Sequence, residues 1–246
     1  ILHLWIPEII TIPAAFAGKL SDAFVISSVR GSMRHVNSLK RRIRHLCTYI
    51  EYIITDKIVA NFKPDGEPFL YRKLFDLKQG SIIQNAITIN KSEYNENPIL
   101  QNKSFKILYV GRIIPSKRLD ILLDSFIELR KEGLEISLIV CGSGHISLIN
   151  KLQEKVKANN LSNYVFFLGY RKDWHCFAKD IDLFVLPSAA EGMPNALFEA
   201  MLLGIPSITT DIPAIRDLVT HQKNIWVIKA ISRESLTLGI KECYQS

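Results

Sequence analysis

LFVLPSAAEGMPNALFEAMLLGIPSITT, residues 183–210, contains one full period of an alternating fold. Leu183–Leu186 is a short apolar run of the kind buried on both faces of a sheet. Residues 187–194 form a loop, with Gly192 and Pro194 shaping its turn. Asn195–Leu203 reads as a helix that ends at Gly204 and cannot run past Pro206. Pro194 fits the first helical position, where its missing N–H is no loss. Ser207–Thr210 is a weaker strand candidate. A strand, a helix and a second strand in this order predict parallel pairing with the helix lying over the sheet.

The same rhythm extends in both directions. Phe105–Val110 is a buried-type strand bounded by Gly111, which lets the backbone turn tightly. The helix after it has Ser116 available as N-cap and Leu119, Leu122, Leu123 and Phe126 on one face. Strand Ile136–Cys141 follows, then a helix with Leu148, Ile149, Leu152 and Val156 at core spacing. Val165–Leu168 is a further strand, Trp226–Ile228 is, like Ser207–Thr210, a weaker candidate, and a last helix holds Leu236, Ile240 and Tyr244. Residues 1–90 repeat the pattern less cleanly, with strands at Ile1–Trp5, Ala23–Ser28, Lys57–Ala60 and Ser81–Gln84. His3 and Trp5, in the first of these, read as core or cleft packing. A polar stretch at 90–104 containing Pro98 reads as an interdomain linker.

The class expected is therefore α/β. It has a first domain over 1–98, linker included, and a second over 99–246. The chain opens at Ile1 rather than Met and directly in a strand-like run, so the first sheet reads as incomplete.

Composition agrees with a folded protein: 48% hydrophobic and 22% charged residues over 246 positions. No stretch of ~18 residues is free of charge or proline, which argues against a membrane span. The opening apolar run carries His3 and Glu8 and lacks a basic lead-in, so it does not read as a signal peptide. Cys47, Cys141, Cys176 and Cys243 are far apart, with neither metal-ligand nor disulfide spacing, as is ordinary for a reducing cytoplasm. The formal charge of +7 suits a phosphorylated small molecule, an anionic lipid or nucleic acid, and does not choose among them.

In open parallel sheets ligands bind beyond the carboxyl ends of the strands. Two loops there carry chemistry. GRIIPSK, residues 111–117, places Arg112 and Lys117 on either side of Pro115 at a helix mouth. A guanidinium fork, a mobile ammonium and helix-end amides together make a diphosphate clamp, each charged hydrogen bond worth ~1.5–3 kcal/mol. Read alone, two basic loop residues are equally a solvated surface. In the second loop Glu191 precedes the helix, and Glu199 lies inside it on the face of Asn195. The amides from Gly192 to Ala196 add an anion seat. Carboxylates accept hydrogen bonds from vicinal hydroxyls, so the two glutamates suit two hydroxyl-bearing parts of one ligand.

VGR with a following lysine, CGSG (141–144), FLGY (167–170), LFVLPS (183–188), EGMPNALFEAMLLGIPSITTD (191–211) and IRDLV (215–219) occur in the order of one known family. From Ile107 to Val219 the chain resembles the donor-binding half of GT-B fold glycosyltransferases, in the large retaining group called family four. The resemblance implies two Rossmann-like domains facing across a cleft, the first of them N-terminally truncated here. It implies that Arg112 and Lys117 hold a nucleotide-sugar diphosphate. Glu191 would contact sugar hydroxyls, Glu199 the ribose, and the stretch from Gly192 through Met193 and Pro194 to Asn195 would line the phosphates and sugar with its amides, Pro194 having none. Gly142 and Ser143 would close the pocket, Gly111 would belong to the same donor-binding set, and Gly169–Arg171, with Tyr170, would lie near the base. The catalytic set implied is Glu191, Arg112 and Lys117. No cofactor and no metal is expected, since no divalent-ion motif of aspartates is visible.

ISSVRG (26–31) and IIQNAIT (82–88) resemble parts of the acceptor half. Arg30 stands where a functional histidine often sits, and Ala86, Ala214 and Asp217 are further departures from the family pattern.

In Ser32–Ile50, the residues Met33, Val36, Leu39, Ile43, Leu46 and Ile50 form one apolar stripe, with Arg34, Lys40, Arg41, Arg42 and Arg44 on the remainder. Most such helices pack their stripe on a sheet and solvate their charges. The other reading is docking on the inner membrane leaflet.

The expected activity is transfer of a sugar from a nucleotide-diphosphate donor to a glycan or polyprenyl-linked acceptor. The setting expected is bacterial surface polysaccharide synthesis, in the cytoplasm or at its membrane face. No nucleic-acid partner is expected, because no aromatic platform accompanies the charges. The alternatives are a donor-binding but inactive module and a GT-B epimerase. A phosphorylase would need a pyridoxal lysine, for which no site is found. Without both walls of a cleft, residues 1–246 alone are expected to be weakly active or inactive.

Overall fold

The computed structural model describes residues 1–5, 11–29, 39–62, 68–89, 103–212, 215–216 and 218–246. Arg30, Met33, Arg34, Val36, Ala214, Asp217 and nearly all of the 90–104 linker fall outside them, as do the side chains of Leu39, Lys40, Arg41 and Arg44. The chain divides into two compact units, the first chiefly Ile1–Ala86 and the second chiefly Ile87–Ala189, Pro194–Ile212 and Arg216–Ser246.

The first unit holds a four-stranded parallel sheet in the order β1 (Leu2–Leu4), β2 (Val25–Val29), β3 (Lys57–Ala60) and β4 (Ser81–Ile82). Helices α1 (Thr11–Leu20), α2 (Leu39–Ile54) and α3 (Phe69–Leu77) make the crossovers. Val29, Ile58 and Ala60 of the sheet pack with Tyr52, Tyr71, Leu74 and Phe75 of the helices to form its core.

Two expectations fail in this unit. The described stripe of α2 faces outward: Ile43, Leu46 and Ile50 are exposed, and Ile53 extends the row, with Leu46 and Ile53 each 60% exposed. The buried face is Cys47, Thr48, Glu51 and Tyr52. A fully buried carboxylate is tolerable only when hydrogen-bonded. Glu51 accepts from the Ser27 hydroxyl at 2.5 Å and from the Thr11 hydroxyl. Polar pairing, rather than the greasy stripe, decides which face turns inward. His3 and Trp5 are not core either. Trp5 is half exposed, and exposed His3 pairs with Ser28 Oγ at 2.6 Å.

The second unit is a six-stranded, all-parallel sheet. Its strands are β5 (Phe105–Val110), β6 (Ile136–Cys141), β7 (Val165–Gly169), β8 (Leu183–Leu186), β9 (Ser207–Thr210) and β10 (Trp226–Ile228), in the order β7-β6-β5-β8-β9-β10. The first strand is central. The chain builds outward to β7, then returns to β8 on the other side, the doubly wound order of dinucleotide-binding folds. Helices α4 (Leu119–Lys131), α5 (Ile146–Ala158), α6 (Asn195–Leu202) and α7 (Arg233–Gln245) complete the unit. Leu119, Leu122, Leu123 and Phe126 are buried as their spacing predicts, among Ile107, Leu138 and Leu183 of the sheet.

Local chemistry departs from expectation at two helix starts. Pro115–Lys117 form a 3-10 turn and Arg118 adopts a left-handed conformation (φ 52°), so α4 begins only at Leu119, with Arg118 rather than Ser116 as its N-cap. Pro194 occupies the N-cap of α6, one residue before the first helical position. A 3-10 helix at Trp174–Asp180 has no counterpart in the sequence reading.

Candidate functional site

The strand order reverses between β5 and β8, and that is where a crevice opens beyond a parallel sheet. The two strands are hydrogen-bonded neighbours, with Ile107 opposite Leu183 and Leu108 opposite Phe184. The loops leaving them therefore start side by side. They are also joined: the Ala189 N–H donates to the Ser116 carbonyl at 2.8 Å.

The loop after β5 owes its course to backbone and core contacts. The Tyr109 hydroxyl donates to the Arg112 carbonyl at 2.9 Å. Beyond the strand ends, Gly111 N–H donates to Cys141 O, Ile113 N–H to Ser143 O and His145 N–H to Ile113 O, at 3.0, 2.8 and 3.0 Å. The β5 and β6 loops thus continue as a parallel bridge between Ile113 and Gly144. A Cβ on Gly142 would stand 1.9 Å from the Gly111 carbonyl oxygen, and one on Gly144 2.1 Å from that of Ile113. It is these two glycines, not Gly111, whose missing side chains let the turn form. Gly111 has no left-handed φ and would bring a Cβ no nearer than 3.2 Å to Tyr109. The arrangement leaves Arg112 exposed and Lys117 half-buried at the carboxyl edge, with Ser143 exposed beside them.

The next loop is tied in as well, through Gly142 N–H to Gly169 O at 2.7 Å. Tyr170, just past it, is 74% exposed. Arg171 grips Asp173 through two bonds of 2.8 and 2.7 Å, and its guanidinium holds the Asp173 carboxyl below the usual carboxylate range. Burial pushes the Cys141 thiol up to about 12, so it supplies no thiolate at this edge.

On the other side of the reversal, α6 presents its N-terminus, with Asn195 exposed and Leu197 N–H bonded to Pro194 O at 3.0 Å. Glu199 lies one turn inside, half-buried. His175 Nε2 lies 3.1 Å from Glu199 Oε2. The sequence reading missed His175, because the 3-10 helix that carries it has neither apolar periodicity nor a spacing signature.

The second unit thus gathers Arg112, Lys117, Gly142, Ser143, Tyr170, Asn195 and Glu199 at one sheet edge. Glu191, Gly192 and Met193 group with the first unit; Gly192 is buried, and Glu191 and Met193 half-buried. A cationic turn beside a helix N-terminus suits an anion, and a carboxylate one turn deeper suits a hydroxyl-bearing group. Among the described residues no cluster of three His, Cys, Asp or Glu has the geometry to hold a metal ion, and no helix is long and apolar enough to cross a membrane.

Residues 104–246 match the family model for glycosyl transferases group 1. An uncharacterized glycosyltransferase of Methanocaldococcus jannaschii is 34% identical over 152 residues, 58% of this chain and 37% of that protein. The UDP-Gal:alpha-D-GlcNAc-diphosphoundecaprenol alpha-1,3-galactosyltransferase of Escherichia coli is 30% identical over 190 residues, 71% of this chain and 48% of the relative. The chain therefore spans about half or less of the length of these curated relatives. Among solved structures, Anabaena HepE in complex with UDP and glucose aligns with 99% of this chain and 68% of its own, with a TM-score of 0.78 at 18% identity. At that identity the likeness is one of fold, and it agrees with two Rossmann-like units of the GT-B class.

Proposed function

We propose, given that the chain belongs to the group 1 glycosyl transferases, that it binds a nucleotide-diphosphate sugar at the carboxyl edge of the second unit and transfers the sugar with retention. In the step envisaged, the bond from the anomeric carbon to the diphosphate oxygen breaks, and an acceptor hydroxyl oxygen bonds that carbon on the same face and gives up its proton to the departing diphosphate oxygen. Charge builds on the departing diphosphate. Arg112, Lys117 and the amides at the start of α6 offset it, in a role equivalent to that of an oxyanion hole. Glu199 holds the ribose, and Glu191 is assigned the sugar hydroxyls on the sequence pattern alone. The acceptor proposed is a glycan or a polyprenyl-linked sugar of a bacterial surface polysaccharide, in keeping with the printed activity of the Escherichia coli relative.

What supports the proposal is the pairing of β5 with β8, from which the loops carrying the basic turn and the α6 mouth leave side by side, joined by the bond from Ala189 to Ser116. Thermal melting with uridine, guanosine and adenosine diphosphates tests it. A ligand at a hundredfold excess over its Kd adds about 2.7 kcal/mol to the native state and raises Tm by roughly 5–11 °C. One of the three is expected to do so. No shift with any would remove the donor site. A shift without transfer to any acceptor by the full-length enzyme would favour a binding module, and conversion of the donor at unchanged mass would favour epimerisation.

The outward row on α2 favours a peripheral membrane contact. Ile43, Leu46, Ile50 and Ile53 recur at steps of three, four and three on an exposed face, and Arg42 beside them is exposed. A basic amphipathic helix of this form lies in the headgroup layer of anionic bilayers. The protein is expected to sediment with vesicles containing phosphatidylglycerol and not with pure phosphatidylcholine. Leu46→Glu together with Ile53→Glu should abolish this while leaving Tm unchanged. Equal sedimentation of the double variant would show that the row has another role.

A further inference from the structure

We infer that His175 is a positioning residue that fixes the Glu199 carboxylate, and that through it the site distinguishes a ribonucleoside diphosphate from its deoxy counterparts. This rests on the reading that Glu199 holds the pentose. An ionised carboxylate can only accept hydrogen bonds, so the proton in the 3.1 Å contact sits on His175 Nε2, which donates to Glu199 Oε2. The bond is partly shielded from water, the two side chains being 15% and 22% exposed.

The donor is itself held in place. The His175 ring lies against Trp174, with centroids 4.2 Å apart and planes 35° apart, and Trp174 is buried and stacks on Phe184 of β8 at 6.3 Å and 28°. A line of aromatic contacts therefore runs from the sheet beside the strand reversal to the imidazole. The nearby Asp173 is engaged through both of its oxygens by Arg171. With Oε2 committed to His175, Glu199 keeps Oε1 for a ligand, aimed in one direction.

A free glutamate side chain would have to give up its rotamer freedom each time a ligand bound. One already fixed has lost it on folding, and the saving goes to the ligand hydroxyl that Oε1 meets. The benefit falls only on ligands that carry that hydroxyl.

The experiment is calorimetric titration of the intact protein with whichever of uridine or guanosine diphosphate stabilises it more, and with the 2′-deoxy and 3′-deoxy forms. Wild type should prefer the ribose form. His175→Ala should shrink that preference by about tenfold, the worth of one charge-assisted hydrogen bond, with the deoxy affinities nearly unchanged. His175→Gln, whose amide can donate to the same oxygen, should keep most of it. An equal loss of affinity for ribose and deoxyribose forms in His175→Ala would mean that the histidine merely braces the fold, and would overturn the inference. Glu199→Ala separates the two levels of argument. If it erases the preference while His175→Ala leaves it intact, only the positioning role falls. If it leaves the preference intact, the pentose reading falls and this inference with it.

Discussion

In the full-length enzyme, Arg112→Ala is expected to lower turnover of the sugar donor by about a hundredfold to a thousandfold, equivalent to roughly 2.7–4 kcal/mol of lost transition-state stabilisation. The effect falls on turnover because negative charge on the diphosphate grows as the sugar leaves, so a cation at that oxygen gains more in the transition state than in the bound donor. The fold should not notice. The Arg112 side chain is exposed, and its loop is fixed by the Tyr109 hydroxyl on its carbonyl and by backbone bonds to Cys141 and Ser143. Tm should therefore stay at the wild-type value. Arg112→Lys should restore only part of the rate, because an ammonium lacks the planar fork that meets two phosphate oxygens at once. Glu199→Ala gives the contrasting signature, a raised KM with a smaller change in kcat, since a ribose contact is made equally before and during the reaction. Unchanged turnover in Arg112→Ala together with unchanged donor affinity in Glu199→Ala would refute the assignment of this edge as the donor site.

How far the chain could be read without coordinates follows from where its stability comes from. In the second unit the strands are buried on both faces. Continuous apolar runs such as Ile136–Cys141 and Leu183–Leu186 bracket them to the residue, and the helices between show their buried face in plain spacing. The position of the basic turn beside the α6 mouth was legible too, because the doubly wound order puts the loops of its first and fourth strands together. The misreadings lie where a polar partner distant in sequence overrides pattern. The α2 stripe points outward while Glu51, in a helix of mostly basic and apolar residues, turns inward to hydroxyls on Ser27 and Thr11, 24 and 40 residues away. No periodicity announces such a partner. Ser116 looks like a cap by residue type, yet Pro115 starts a 3-10 turn and the left-handed Arg118 delays the helix. His175 escaped notice for the same reason: its meaning lies in a carboxylate 24 residues away.

The glycines of the CGSG stretch test whether the edge is built as described. Gly142→Ala and Gly144→Ala are each expected to destabilise the protein by about 3 kcal/mol, the upper end of what an added methyl costs in a packed interior, lowering Tm by roughly 6–12 °C. The upper end applies because the obstacle is backbone. The new Cβ would lie 1.9 or 2.1 Å from a carbonyl oxygen, where no side chain can swing aside. The only relief is to part the β5 and β6 loops, which breaks the bonds from Ile113 to Ser143 and from His145 to Ile113. Parting them moves Arg112 and Lys117, so diphosphate binding should weaken together with the melting point even though neither glycine need touch the ligand. Ser143→Ala provides the control. Its side chain is exposed and sits between the two glycines, so its effect on stability should stay within about 0.5 kcal/mol. If Gly144→Ala melts with the wild type, the loops are not held backbone to backbone. The glycines would then have to be explained by direct approach of the ligand, and titration with diphosphate would separate the two accounts, since a steric clash with ligand lowers affinity without lowering the melting point of the free protein.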